Sequence, residues 1–276
     1  MPTTGPGTAG DIACRAISEG SEMILAAGGD GTLNEVVQGM AHSTVPLGVL
    51  PAGTANVLAT EIGLGRNLGR AAEIISKCVT RRIALGRLDY DGGPRYFLSM
   101  AGVGFDAQIV YDLSSGLKER LGKAAYWVAG FAHALKRFPE FEVEIDGTAS
   151  KIGSFALASR VRNYGGDFEI ARRASLAADR FEVVLFRGRH ALPYFKYLCG
   201  MVAGRLEGMG GVSFSTGREV RVADAAGRRI HIQVDGEYAG RLPASIVIVP
   251  DALTLLVPPD YLPAPNNHFR DCSLLG

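Results

Sequence analysis

The sequence predicts a two-part fold. An α/β unit with a parallel sheet comes first. An antiparallel, β-sandwich-like lobe follows, with a cleft between the two. Three observations carry this. Over residues 9–78, short apolar runs alternate with stretches of helical period, as in parallel strands covered by helices. Past residue 80, apolar and polar residues alternate with period two, and Asp-Gly hairpin signals recur. The 276 residues, 47% of them hydrophobic, are chain enough for a sizeable core in two lobes.

Taken in order, Ala9–Glu19 reads as a helix and Met23–Ala27 as a short apolar strand ending in Gly28-Gly29-Asp30-Gly31. Thr32–Met40 is a helix with Leu33, Val36 and Val37 on one face. Pro46–Leu50 is a second strand ending in Pro51-Ala52-Gly53, and helices follow at Ala55–Ile62 and Leu68–Lys77. Strands are then expected at Arg82–Tyr90, Tyr96–Met100, Phe141–Ile145, Ile152–Arg160, Phe181–Phe186, Glu219–Val222, Ile230–Val234, Ser245–Val249 and Leu253–Val257. Helical inserts are expected near 118–138 and 191–205. The expected division is residues 1–80, residues 81–260 and a tail over 261–276.

The net charge of +1 argues against a nucleic-acid partner. An excess of three positive charges over residues 101–210 would suit weak attraction to an anionic membrane surface. The stretch Leu121–Phe138 sets Ala124, Trp127, Phe131, Leu135 and Phe138 on one stripe. That stripe is either core or a face toward lipid. Four scattered cysteines form no CxxC pair and suit a reducing, cytoplasmic compartment. The first residues lack the features of a signal peptide, and the longest uncharged stretch is broken by Pro46 and Pro51.

Two turns carry the chemistry. In Gly28-Gly29-Asp30-Gly31-Thr32-Leu33-Asn34-Glu35, glycines let the backbone approach a ligand with no Cβ in the way. The turn opens a helix, so its free N–H groups and positive dipole end suit a phosphate. Asp30 is out of place there unless a divalent cation or a water network intervenes. The plainer alternative is a turn residue, with Thr32 as helix cap. The spacing is not G-x-G-x-x-G, which disfavours dinucleotide binding. Leu50-Pro51-Ala52-Gly53-Thr54-Ala55-Asn56 repeats the design one unit later. Two such turns at neighbouring strand ends would wrap one polyphosphate.

Together these turns resemble the diacylglycerol kinase catalytic family, which includes soluble bacterial lipid kinases and sphingosine kinases. The resemblance continues through Val161-Arg162-Asn163-Tyr164-Gly165-Gly166, Ala174–Val184 and Val234-Asp235-Gly236-Glu237, covering roughly residues 3–258. It implies an ATP-dependent lipid kinase, cytoplasmic and peripherally associated with membrane. ATP contacts are implied at Gly29, Asp30, Gly31, Thr32, Leu33, Asn34, Glu35 and Thr54, and at Thr3 by its spacing to Gly29. It implies Asp235 as catalytic base. It also implies a structural Mg2+ on two backbone carbonyls and one aspartate, at Leu176, Asp179 and Phe181. Phosphoryl transfer needs a group to accept the hydroxyl proton. Asp235, with Glu237 two residues on, is suited to that; the alternative is an ordinary Asp-Gly turn.

Three departures stand out. The family's opening strand and Asn-Pro-x-Ser-Gly turn are not in this sequence. Val57 stands where many relatives have aspartate. Arg180 follows Asp179 where glycine is usual. A catalytically impaired nucleotide- or lipid-binding relative is therefore the second reading, and NAD kinase, which shares a GGDG turn, a third. The lipid is left open, as is a homodimer.

Overall fold

The computed structural model describes residues 1–114, 137–165, 168–224 and 226–261. The first part contains α1 (Thr8–Ser18), β1 (Ile24–Gly28), α2 (Asp30–Met40), β2 (Leu47–Pro51), α3 (Val57–Glu61) and α4 (Leu68–Ile75). Strands β1 and β2 pair in parallel from Ile24↔Leu47 to Gly28↔Pro51. This alignment brings both glycine-rich turns to the same sheet end. Helices α1 and α2 pack through Gly10 and Gly39. A Cβ on Gly39 would lie 2.1 Å from the Gly10 carbonyl oxygen, so the close crossing depends on that missing side chain.

The chain continues through β3 (Val79–Asp89), β4 (Arg95–Phe97), β5 (Met100–Gly104), α5 (Phe105–Ser114), β6 (Phe141–Ile145), β7 (Lys151–Gly153) and β8 (Phe155–Ser159). A short ribbon follows, β9 (Asn163–Tyr164) and β10 (Phe168–Glu169), and then β11 (Phe181–Phe186) and α6 (Ala191–Val202). The last strands are β12 (Val212–Gly217), β13 (Glu219–Ala223), β14 (His231–Val234), β15 (Glu237–Arg241) and β16 (Ala244–Val257). One eight-stranded sheet runs β1-β2-β16-β13-β6-β7, with β3 on β16 and β4 on β3. A six-stranded antiparallel sheet runs β12-β11-β8-β5-β14-β15.

The two sheets face each other across Phe97, Phe141, Val143, Phe181, Val183, Val220, Val222, Ile232 and Val234. This is the expected sandwich, built by period-two alternation on both faces. The α/β unit and the sandwich are joined by more than a linker. Strand β16 pairs with β13 at its start, and near its end Leu255 pairs in parallel with Leu47 of β2. The sequence suggests two strands here, because Pro250-Asp251 interrupts the apolar run. The structure absorbs them in a register shift between Val249 and Leu253. The break expected at residue 80 falls at the start of β3, inside the shared sheet.

Of the two expected inserts, the second is α6. Residues 115–136, with most of the Leu121–Phe138 stripe, lie outside the described residues. Phe138 itself is buried, its ring 4.4 Å from that of Phe105. Helix α5 directly after Gly104 was not legible, because a Gly-x-Gly run reads as a loop. Among the described residues, no helix is long and apolar enough to cross a membrane.

Candidate active site

The two glycine turns lie back to back. A Cβ on Gly53 would sit 2.4 Å from Gly29 Cα, and one on Gly29 would sit 3.1 Å from Gly53 Cα. Asn56 closes the second turn, accepting from Gly53 N–H and donating to Gly53 C=O at 2.9 Å each. Gly29 is the N-cap of α2 and makes no side-chain cap. The cap residue thus puts no side chain of its own over the first N–H groups of that helix, a place that suits an incoming phosphate. Ala52, Gly53 and Thr54 are exposed beside it. Two glycine turns meeting at a helix N-terminus form the kind of cradle that suits phosphate.

Asp30 resolves its own oddity. Its Oδ1 accepts from Val57 N–H at 2.8 Å. It caps the helix of the second turn and so ties the turns together. Burial raises its carboxyl above the ordinary value; the Val57 N–H opposes that rise and nearby Asp235 adds to it. The folded carboxyl thus holds its proton more tightly than the unfolded one does. Its contribution to stability therefore falls as pH rises through the window above the ordinary carboxylate value.

The rest of the expected run divides. Leu33 is buried in the core, and its N–H donates to Gly29 C=O. Glu35 accepts from Gly7 N–H at 2.7 Å and Ala9 N–H at 3.1 Å, holding the start of α1. Asn34, 1% exposed, bridges the lobes. Its amide donates to Asp235 Oδ2 at 3.0 Å, and its Oδ1 accepts from Arg95 Nη2 at 2.8 Å. What this run offers a phosphate is backbone N–H at Asp30, Gly31 and Thr32. Thr3 lies exposed ahead of α1.

Asp235 and Gly236 form the β14–β15 turn with φ of 49° and 81°, the left-handed pair that hairpins favour. Both carboxylate oxygens of Asp235 are engaged. Oδ1 accepts from Ser99 N–H at 2.8 Å and Met100 N–H at 3.0 Å. Oδ2 accepts from Leu98 N–H at 2.9 Å as well as from Asn34. Gln233 braces the turn through Gly236 N–H at 2.8 Å. Glu237 reaches across to the phosphate cradle, where a Cβ on Gly31 would lie 3.0 Å from its Oε1. The constellation therefore joins α2, its turn and the Asp-Gly-Glu hairpin at one point between the lobes.

The positions expected for magnesium lie ahead of β11 and at its first residue. The Leu176 carbonyl accepts from Arg160 Nη2 at 2.9 Å. The Asp179 carbonyl accepts from Arg218 Nε at 3.1 Å. Phe181 is fully buried in β11, opposite Gly217. A divalent ion on the Leu176 carbonyl would stand within about 5 Å of the guanidinium, a repulsion on the order of 7 kcal/mol at an effective dielectric of 20. The Leu176 carbonyl, one of the two carbonyls expected to hold magnesium, is thus taken up by a guanidinium. Sequence reading missed Arg160 because an arginine ending a strand-like run reads as a solvated flank. Its burial is set by contacts 62 to 76 residues distant in sequence.

Residues 1–88 match the diacylglycerol kinase catalytic domain, and residues 99–257 match the YegS C-terminal NAD kinase beta sandwich-like domain. A diacylglycerol kinase of Mycobacterium tuberculosis is 30% identical over 248 residues, covering 88% of this chain and 79% of that protein. The chain belongs to the diacylglycerol kinase family. A diacylglycerol kinase of Bacillus subtilis is likewise 30% identical, over 89% of this chain and 80% of that protein. The fold agrees with a solved structure titled as a putative diacylglycerol kinase from Bacillus anthracis. The TM-score is 0.75 over 94% of this chain and 86% of that one, at 18% identity. The α/β unit with a β-sandwich is thus this family's architecture, and the two glycine turns and the Asp-Gly-Glu hairpin fall in its two matched domains.

The cradle supports a direct test. Gly31→Val would push a branched side chain against Glu237 and over the first turn of α2. Nucleotide affinity measured by calorimetry is expected to fall at least about a hundredfold, with the sandwich still folded. Unchanged affinity would remove the cradle from the nucleotide site.

Proposed function

We propose that this chain transfers the γ-phosphoryl group of ATP to the hydroxyl of a membrane lipid. The observation that carries this is the meeting of Glu237 with the Gly31 turn, which brings a carboxylate to the mouth of a phosphate cradle. Backbone N–H groups of the first turn of α2 hold the polyphosphate; Mg2+ arrives with ATP as part of the nucleotide substrate. Phosphoryl transfer then depends on positioning and on a proton acceptor for the attacking hydroxyl.

Two carboxylates stand in the hairpin, and their surroundings favour different roles. Asp235 carries four donors on its two oxygens, which occupy the lone pairs a base would use. It holds the hairpin against α2 and β5. Glu237 is the side chain directed at the cradle, and we assign it the proton acceptance that sequence reasoning gave to Asp235. The test is incubation with labelled ATP, Mg2+ and a total lipid extract. A labelled phospholipid product is expected, and the substrate follows from its identity. Labelled nucleotide product with no lipid product would overturn the reading.

Helix α6 supplies a surface for the bilayer that such a substrate requires. Leu192, Phe195 and Val202 are 79%, 56% and 64% exposed, and at helical spacing they share a face with exposed Cys199 and Lys196. The opposite face is anchored by Tyr194 against Phe105 and by buried Tyr197. The helix carries no acidic residue, and exposed Arg187, His190 and Arg205 flank its ends. An exposed apolar helix face rimmed by cations suits an anionic lipid surface. Leu192→Glu with Phe195→Glu should weaken sedimentation with phosphatidylglycerol vesicles by roughly tenfold or more. Equal sedimentation of variant and wild type would exclude α6 as the contact.

A further inference from the structure

We propose that the Arg160 guanidinium is this chain's built-in replacement for the divalent cation that the family resemblance assigns to Leu176, Asp179 and Phe181. Arg160 is fully buried. Its Nη2 donates to the Leu176 carbonyl at 2.9 Å, and its Nη1 donates to the carbonyls of Ala84 and Leu98. It thus gathers main-chain oxygens from β3, from the β4–β5 link and from the segment ahead of β11. Gathering carbonyls from separate segments is the work of a structural cation, and a planar fork of donors can do it without a metal.

The surrounding charge agrees. Asp179 and Asp235 both attract the guanidinium. Burial lowers its pKa only to about 10, so the side chain remains a cation at neutral pH. Magnesium would need near-octahedral oxygen ligands at about 2.1 Å, and one expected carbonyl already serves Arg160.

The guanidinium also sits behind the active site. Leu98, whose carbonyl it accompanies, gives its N–H to Asp235. Arg160 therefore braces the β4–β5 link that supports the Asp235 hairpin.

The test uses full-length protein without nucleotide. Melting temperature is measured in EDTA and in Mg2+, and Mn2+ binding is followed by its paramagnetic resonance spectrum. Wild type is expected to melt at the same temperature in both buffers and to leave Mn2+ free. Arg160→Met keeps the bulk and removes the charge and donors; it is expected to melt well below wild type. A resident divalent site saturated a hundredfold would instead raise the wild-type melting temperature by roughly 5–10 °C. That shift, or stoichiometric Mn2+ binding by wild type, would overturn the proposal. So would an Arg160→Met protein that melts with wild type. If Arg160→Met does not fold, the wild-type measurements still decide.

Discussion

Asp235→Asn is expected to unfold early as well as to lose turnover. The wild-type carboxylate offers acceptors in all directions, and four donors point at it. An asparagine offers one oxygen; its NH2 group would face two of those donors. Each donor left without an acceptor costs about 1–3 kcal/mol in a partly buried setting. A loss of about 3 kcal/mol would lower the melting temperature by roughly 6–12 °C. Asn has good turn propensity, so sequence reasoning alone expects stability to hold; the donor count says otherwise. Calorimetric melting of the variant decides. A variant with wild-type melting temperature would mean that the four hydrogen bonds do not hold the hairpin.

The same residue marks the limit of what was legible in the sequence. Asp235-Gly236 could be read as a hairpin turn, and the strand Phe141–Ile145 coincides with β6 because its alternation has one buried face. Both are local signals. Asp235 meets Asn34 from 201 residues away, and Asp30 caps a helix that begins 27 residues on. Nothing in the period or propensity of either segment announces those contacts. The glycine turns were legible because their requirement, backbone without Cβ, is written in the residue type. Their back-to-back packing was not, since it follows from the parallel register of β1 and β2. Arg160 was hidden for the converse reason: charged residues are usually solvated, and only the assembled carbonyls make its burial tolerable. The site was thus legible where chemistry is local, and hidden where one lobe completes the other.

Glu237→Gln separates chemistry from scaffold. Gln keeps the length and shape of Glu and the reach to Gly31, while its amide cannot take a proton from a lipid hydroxyl. If Glu237 is the acceptor, kcat should fall by about 10²–10⁴, the usual scale for losing a general base. Nucleotide affinity should change little, because the cradle binds through the N–H groups of α2. Melting temperature should stay near wild type, since the four donors that organise the hairpin sit on Asp235. This pattern differs from that of Asp235→Asn, in which stability and turnover fall together. The two variants therefore assign the roles of the two carboxylates independently of which lipid is the substrate. A Glu237→Gln enzyme that phosphorylates lipid at near wild-type kcat would remove Glu237 from the chemistry. A stable, nucleotide-binding Asp235→Asn protein with no turnover would return the proton acceptance to Asp235.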